Sequence, residues 1–236
     1  MREPLVQRQR YVAGATVLSV LLGVAATVVL LAAYGFDPAA LSHSGLIVDK
    51  GQGAAQLFRW GALLDMASYL PLAPLVLYLH SRLRDRGPQM VPLLTACGLA
   101  YVLIGGIGGA LLASTGPPLI EGYAAASDAG REAARLTLET LGHAVFVGLF
   151  GTLELIPLGV WLLGVGWLLR REWPRFAVVS VIAGAGALAS SARSGLTGRT
   201  LVDVEGPLDL VILTAAGLVI VWQLWLAARL WRGSAG

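Results

Sequence analysis

Charge is what this sequence has least of. Only 13% of its 236 residues are charged, where a soluble domain carries about a quarter. Lysine is almost missing: Lys50 is the single example among 17 basic residues. That reflects a preference for arginine codons more than a mechanism, and Lys50 lies in a polar loop where a Schiff-base role is disfavoured. Cysteine is missing but for Cys97, which excludes an internal disulfide and a structural zinc site with several cysteines. Cys97 falls in an apolar stretch, as a small buried residue does. The chain holds three histidines. A bis-histidine haem needs two at matching depth, and no pair supplies them. There is no H-E-x-x-H, and no Ser, His and Asp set at one level for hydrolysis. The run GGIGGA, residues 105–110, imitates a phosphate loop but lies inside an apolar helix with no strand before it. No internal repeat is evident, so an inverted-repeat transporter gains no support. No cofactor is expected.

What is present is apolar length. Hydrophobic residues make up 56%, and mean hydropathy is +0.73. Runs of about 20 apolar residues recur, long enough to cross a bilayer. We place spans at about 11–34, 60–80, 90–114, 140–169, 175–192 and 208–230. The fold class is all-α, one six-helix transmembrane domain over 1–236 with no soluble domain on either side. The first span is too long for a secretory signal core, so it is kept as a membrane helix.

An even number of spans puts both termini on one side. Arg2, Arg8, Arg10, Arg82, Arg84, Arg86, Arg170, Arg171, Arg175, Arg229 and Arg232 share that side, eleven of the 17 basic residues. The positive-inside bias therefore places both termini in the cytoplasm, in an inner (plasma) membrane. The net charge of +3 belongs to span ends and does not imply nucleic acid. The partners expected are the lipid bilayer and either a small ligand or another membrane protein.

The inner links, 81–89 and 171–175, are tight, with Pro88 and Pro174 stopping helix continuation. The outer links are longer. Asp37-Pro38 suggests a short interfacial helix over Pro38–Ser42. TGPP, residues 115–118, reads as a turn, and 127–141 as a helix leading directly into the fourth span. Small residues at Gly105, Gly106, Gly108 and Gly109, and again over 183–189, let helices approach closely. The tryptophans mostly fall near span ends, like interfacial anchors.

The chemistry sits at one depth. Measured from the inner arginines at about 1.5 Å per residue, Glu154 stands ~24 Å up and Asp65 ~25 Å. Arg193 stands ~27 Å up and Asp209 ~30 Å. A charge inside a span costs roughly 2.5–3.5 kcal/mol, which makes each a candidate functional residue. We expect Glu154 and Asp65 to face the interior, with Arg193 pairing one or both. Two readings stay open: a ligand or proton site, or a structural ion-pair cluster that pins the helices. Pro71, Pro74 and Pro157 add kinks and freed carbonyls beside the two acids. His43, Glu139 and His143 form a weaker outer group. Glu139 and His143 are four residues apart on one helical face, a two-ligand spacing for a metal without an obvious third ligand.

The runs LPLAPLVLYLHSRLR (70–84) and LLRREWPR (168–175), then VVSVIAGAGAL (178–188) and a last helix with Trp222, Trp225 and Ala228-Arg229-Leu230, resemble a bacterial family of six-helix membrane proteins known only as a domain of unknown function. The resemblance implies the fold and carries no catalytic residues. The leading expectation is a non-enzymatic membrane protein whose outer-leaflet polar cluster binds a small or lipid-like ligand, or a subunit or sensor. The alternative is a proton-coupled carrier using Glu154 and Asp65, with an intramembrane enzyme third.

Overall fold

The computed structural model describes residues 3–37, 43–200 and 206–233. Six helical rods long and apolar enough to span a membrane run Val6–Ala33, Ser44–Arg86, Met90–Tyr123, Asp128–Leu169, Pro174–Thr197 and Asp209–Gly233. No strand occurs among the described residues. These rods are the first to sixth spans below. The expected helix over Pro38–Ser42 lies outside the described residues.

Each span begins and ends where the local chemistry permits. Pro174 opens the fifth, where its missing N–H is harmless. Gly198 closes it in the left-handed region at φ 68° and donates its N–H to the Ser194 carbonyl. Ser127 caps the helix Asp128–His143 by accepting from the Gly130 amide at 3.3 Å.

Two spans are far longer than a bilayer requires. The second and fourth hold 43 and 42 residues, or roughly 60 Å at 1.5 Å per residue against a core of about 30 Å. Their ends far from the arginine-rich links, the 3-10 turn Ser44–Lys50 and the helix Asp128–His143, form a cap with the end of the third span. The third span also runs on past its expected end at 114, reaching Tyr123 through Pro117 and Pro118. The turn expected at TGPP is therefore corrected. Gly116, Pro117 and Ile120 are buried, and Gly116 lies directly against the Phe58 ring. Packing outweighs proline's breaking tendency, as it does where neighbours replace the lost helical bonds.

The spans pack in chain order, and the first meets the sixth, so the bundle is a closed ring. Glycine sets its spacing. Between the fourth and fifth spans, a methyl group on Gly159 would stand 2.8 Å from the Gly184 carbonyl, and one on Gly184 would stand 2.9 Å from that of Gly159. Only paired small residues allow this approach.

The interior divides into two apolar cores. One gathers Val12, Leu72, Leu79, Trp161, Phe176, Trp222 and their neighbours toward the arginine-rich end. The other gathers Tyr34, Phe58, Ala62, Leu112, Ile120 and Val145 under the cap. Trp161 and Trp222 are 2% and 0% exposed and meet edge to face at 5.3 Å. These two are core residues and not interfacial anchors, whereas Trp60, Trp167 and Trp231 are more than half exposed.

Candidate functional site

Along each span that carries an acid, the acid falls where one core gives way to the other. Asp65 lies between Ala62 of the cap core and Leu72 of the lower core. Glu154 lies between Val145 and Leu155 in the same way.

The backbone is irregular at both places. The second span is α-helical over Gly51–Tyr69, tightens to a 3-10 turn at Leu70–Leu72, and resumes at Ala73. Pro71 and Pro74 explain the break, since neither offers an N–H to the helix. The fourth span widens into a π-helix over Ala144–Leu153. The Glu154 amide reaches back five residues to the Leu149 carbonyl at 2.8 Å, and the Thr152 hydroxyl reaches that of Val147 at 2.8 Å. Ser191 of the fifth span donates to the Thr152 carbonyl at 2.8 Å, tying the wide turn to its neighbour. Such π stretches concentrate at functional sites.

Glu154 is 5% exposed. Its Oε1 accepts from the Tyr69 hydroxyl at 3.0 Å. Its Oε2 is buried with no hydrogen-bond partner. Asp65 lies one helical turn before Tyr69 on the same span. Its Oδ2 is likewise buried and unpartnered. Tyr101 of the third span packs edge-on to Tyr69 at 5.4 Å. Gly105 leaves the space that the Tyr69 ring fills, so a methyl group there would collide with the ring.

A cavity of about 230 Å³ adjoins this group. Asp65, Ser68, Tyr69, Tyr101 and Gln223 line its inner side, and Ser19, Gly23 and Thr27 supply the wall from the first span. Its lining also includes Val24 and Ile220, which are 47% and 44% exposed on the outside of the bundle. The cavity therefore opens sideways, between the first and sixth spans, onto the surface that faces lipid. Glu154 lies behind it, reached through Tyr69.

Arg193 does not join the two acids. It pairs with Asp209 at 2.7 Å, both side chains about one-tenth exposed, and donates to the Thr200 carbonyl at 2.8 Å. The expected pairing with Glu154 or Asp65 is corrected, and the reason is local. Asp209 stands at the adjoining end of the next span, only a short connection away in sequence. The four residues placed at one depth thus separate into an Asp65–Glu154 group and an Arg193–Asp209 latch.

In the outer group, His43 approaches Glu139 at 3.6 Å, and Glu139 accepts from the Gly45 amide at 2.7 Å. His143 packs near Gly198 instead. No cluster of three or more potential metal-ligating side chains occurs among the described residues.

Sequence reasoning missed Tyr69, Tyr101 and Gln223. One signal was available for Tyr69: it follows Asp65 by four residues, so the two share a helical face.

Six apolar rods in a closed ring, broken by a polar layer with a side opening, define a multi-pass helical membrane protein. The family model described as a domain of unknown function (DUF4386) matches residues 12–231, and the chain belongs to that family. No curated protein and no solved structure matches it.

Proposed function

We propose that the protein is a non-enzymatic receptor or carrier subunit of the bacterial plasma membrane, with both termini cytoplasmic, that binds the head of a lipid-like ligand beside Asp65. The cavity's sideways opening onto Asp65, one of whose carboxylate oxygens is buried without a hydrogen-bond partner, is the observation that carries this reading. Drug-sized ligands occupy about 300–1,000 Å³. At about 230 Å³ the cavity suits a small head, with the tail left between the first and sixth spans. Carboxylates in an apolar setting call for a cation or hydrogen-bond donors. An amine or polyol head fits, and an anionic one does not.

The test is to purify the wild type and Asp65→Asn in mild detergent and identify the retained amphiphiles by mass spectrometry. The wild type is expected to retain an amphiphile with a donor-bearing head that the variant loses. Identical lipid content in two folded preparations refutes the reading.

One observation favours a second reading, a proton-coupled carrier. Asp65 faces the cavity, Glu154 does not, and the Tyr69 hydroxyl contacts Glu154 from the cavity side. On this reading a proton enters at Asp65 and is passed to Glu154 by way of Tyr69. The carrier reading expects Glu154→Gln to abolish pH-driven uptake in proteoliposomes while folded protein persists. Loss of folded protein instead assigns Glu154 a structural role.

A further inference from the structure

A second cavity lies at the opposite, arginine-rich end. It measures about 370 Å³ and is lined by Gln9, Arg82, Trp173, Arg229, Leu230 and Arg232. The first, second and sixth spans and the link before the fifth all contribute to it. Trp173 is its organising surface. The Arg82 guanidinium lies over the Trp173 ring at 4.9 Å, and that of Arg229 at 5.8 Å. Stacking on an indole fixes a guanidinium in place without neutralising it.

The charges are unbalanced. Arg82 is held by Glu172 at 3.3 Å, and Glu172 also binds Arg86. That acid is shared between two arginines already. Arg229 and Arg232 have no acidic partner among the described residues. The Gln9 amide is fixed by donating to the Tyr78 hydroxyl at 3.2 Å. The cavity therefore presents two uncommitted guanidinium groups beside a third that is half neutralised. It lies at the end of the bundle where the spans pass out of the hydrocarbon.

We propose that this cavity binds a phosphate group, that of an anionic phospholipid head in the arginine-side leaflet. Guanidinium forks match phosphate oxygens two by two. Basic pockets between spans at a leaflet surface are where such heads bind. The position supports the lipid source: Leu230 and Trp173, both packed in the lower core, put apolar surface directly above the arginines. This site is separate from the Asp65 cavity in charge and in depth, so it stands or falls independently of the function proposed above.

The experiment uses the full chain in mixed micelles and native mass spectrometry. The probes are dioleoylphosphatidylglycerol, dioleoylphosphatidylcholine and inorganic phosphate. The variants are R229Q/R232Q, which alters two exposed side chains and leaves both cores intact, and R84Q at another exposed inner arginine. The wild type is expected to retain the glycerol lipid over the choline lipid. R229Q/R232Q is expected to weaken that retention by about thirty-fold, from roughly 1 kcal/mol for each arginine at an anionic surface. R84Q is expected to change it little. Equal retention of the two lipids overturns the proposal, and so does an equal loss in R84Q, which would mean diffuse attraction rather than a site. If inorganic phosphate displaces the lipid at millimolar concentration, the lipid source is overturned and a soluble phosphate compound takes its place.

Discussion

The contact between Tyr69 and Glu154 can be tested without knowing the ligand. Tyr69→Phe removes one hydroxyl and leaves the ring in the space opposite Gly105. The structure then has no partner for either oxygen of a residue that is 5% exposed. Stranding a buried acceptor costs about 1–3 kcal/mol, so Tyr69→Phe is expected to destabilise by that amount. Glu154→Leu removes the acceptor and strands the hydroxyl. If the 3.0 Å contact is the link, the double variant loses less than the sum of the singles. Measured couplings between spans average about 0.6 kcal/mol and reach about 1.7; a bond this buried belongs in the upper half of that range. The assay is equilibrium unfolding in mixed micelles by dodecyl sulfate titration, followed by tryptophan fluorescence. Tyr101→Phe serves as the control, since Tyr101 touches the Tyr69 ring and not the carboxylate. Strict additivity of the two singles refutes the account. So does a Tyr101→Phe loss equal to that of Tyr69→Phe.

Three further outcomes are expected. Gly105→Ala puts a methyl group into the Tyr69 ring and should cost about 1–3 kcal/mol, as overpacking does; unchanged thermal stability in detergent would contradict the packing. Arg193→Gln removes the cation from a pair that is about nine-tenths buried, leaving Asp209 with the Gly206 amide at 3.1 Å, and breaking one side of a buried pair costs about 3–5 kcal/mol. This pair lies at a span end, so the lower figure applies, and Arg193→Gln with Asp209→Asn should recover part of the loss in the same unfolding assay. Glu172 is held below the usual carboxylate range first by its hydrogen bond from Arg86 and then by Arg82. Its folded value is the lower one, so its contribution is present above the unfolded value of about 4.3 and is lost as pH falls through the folded value. With the side chain 40% exposed, that contribution is at most about 1 kcal/mol; Glu172→Gln should flatten the acid limb of the Tm profile, and an unaltered limb would show the pair to be inert.

The spans were legible because hydropathy is a sum over about twenty residues and tolerates local irregularity. The ends were less so. Pro117 and Pro118 carry a strong local stop signal, and only the burial of Gly116 and Ile120 under the cap reverses it. Depth along the spans grouped four residues that the structure divides, Arg193 with Asp209 and Glu154 with Tyr69. Rise per residue gives height but no azimuth, so Arg193 looked equidistant from every acid at its level. Azimuth depends on which way each span is turned, and here the π-helix before Glu154 and the 3-10 turn after Tyr69 both reset that angle. Proline at 71, 74 and 157 hinted at irregularity, but no residue pattern announces a ten-residue π stretch. Tyr69 was hidden for another reason: a tyrosine in a membrane helix reads as apolar until its hydroxyl has a named acceptor.

The closure of the first span on the sixth has a consequence in time. The cavity beside Asp65 takes its walls from Ser19 and Gly23 at one end of the chain and from Gln223 at the other. At about 5–20 residues per second, a ribosome needs roughly 10–40 s to pass from one to the other. For the part of that interval after the second span is made, Asp65 stands with one side of its chamber unbuilt. The side opening between the first and sixth spans is thus what remains of a wall that is completed only when the last helix arrives.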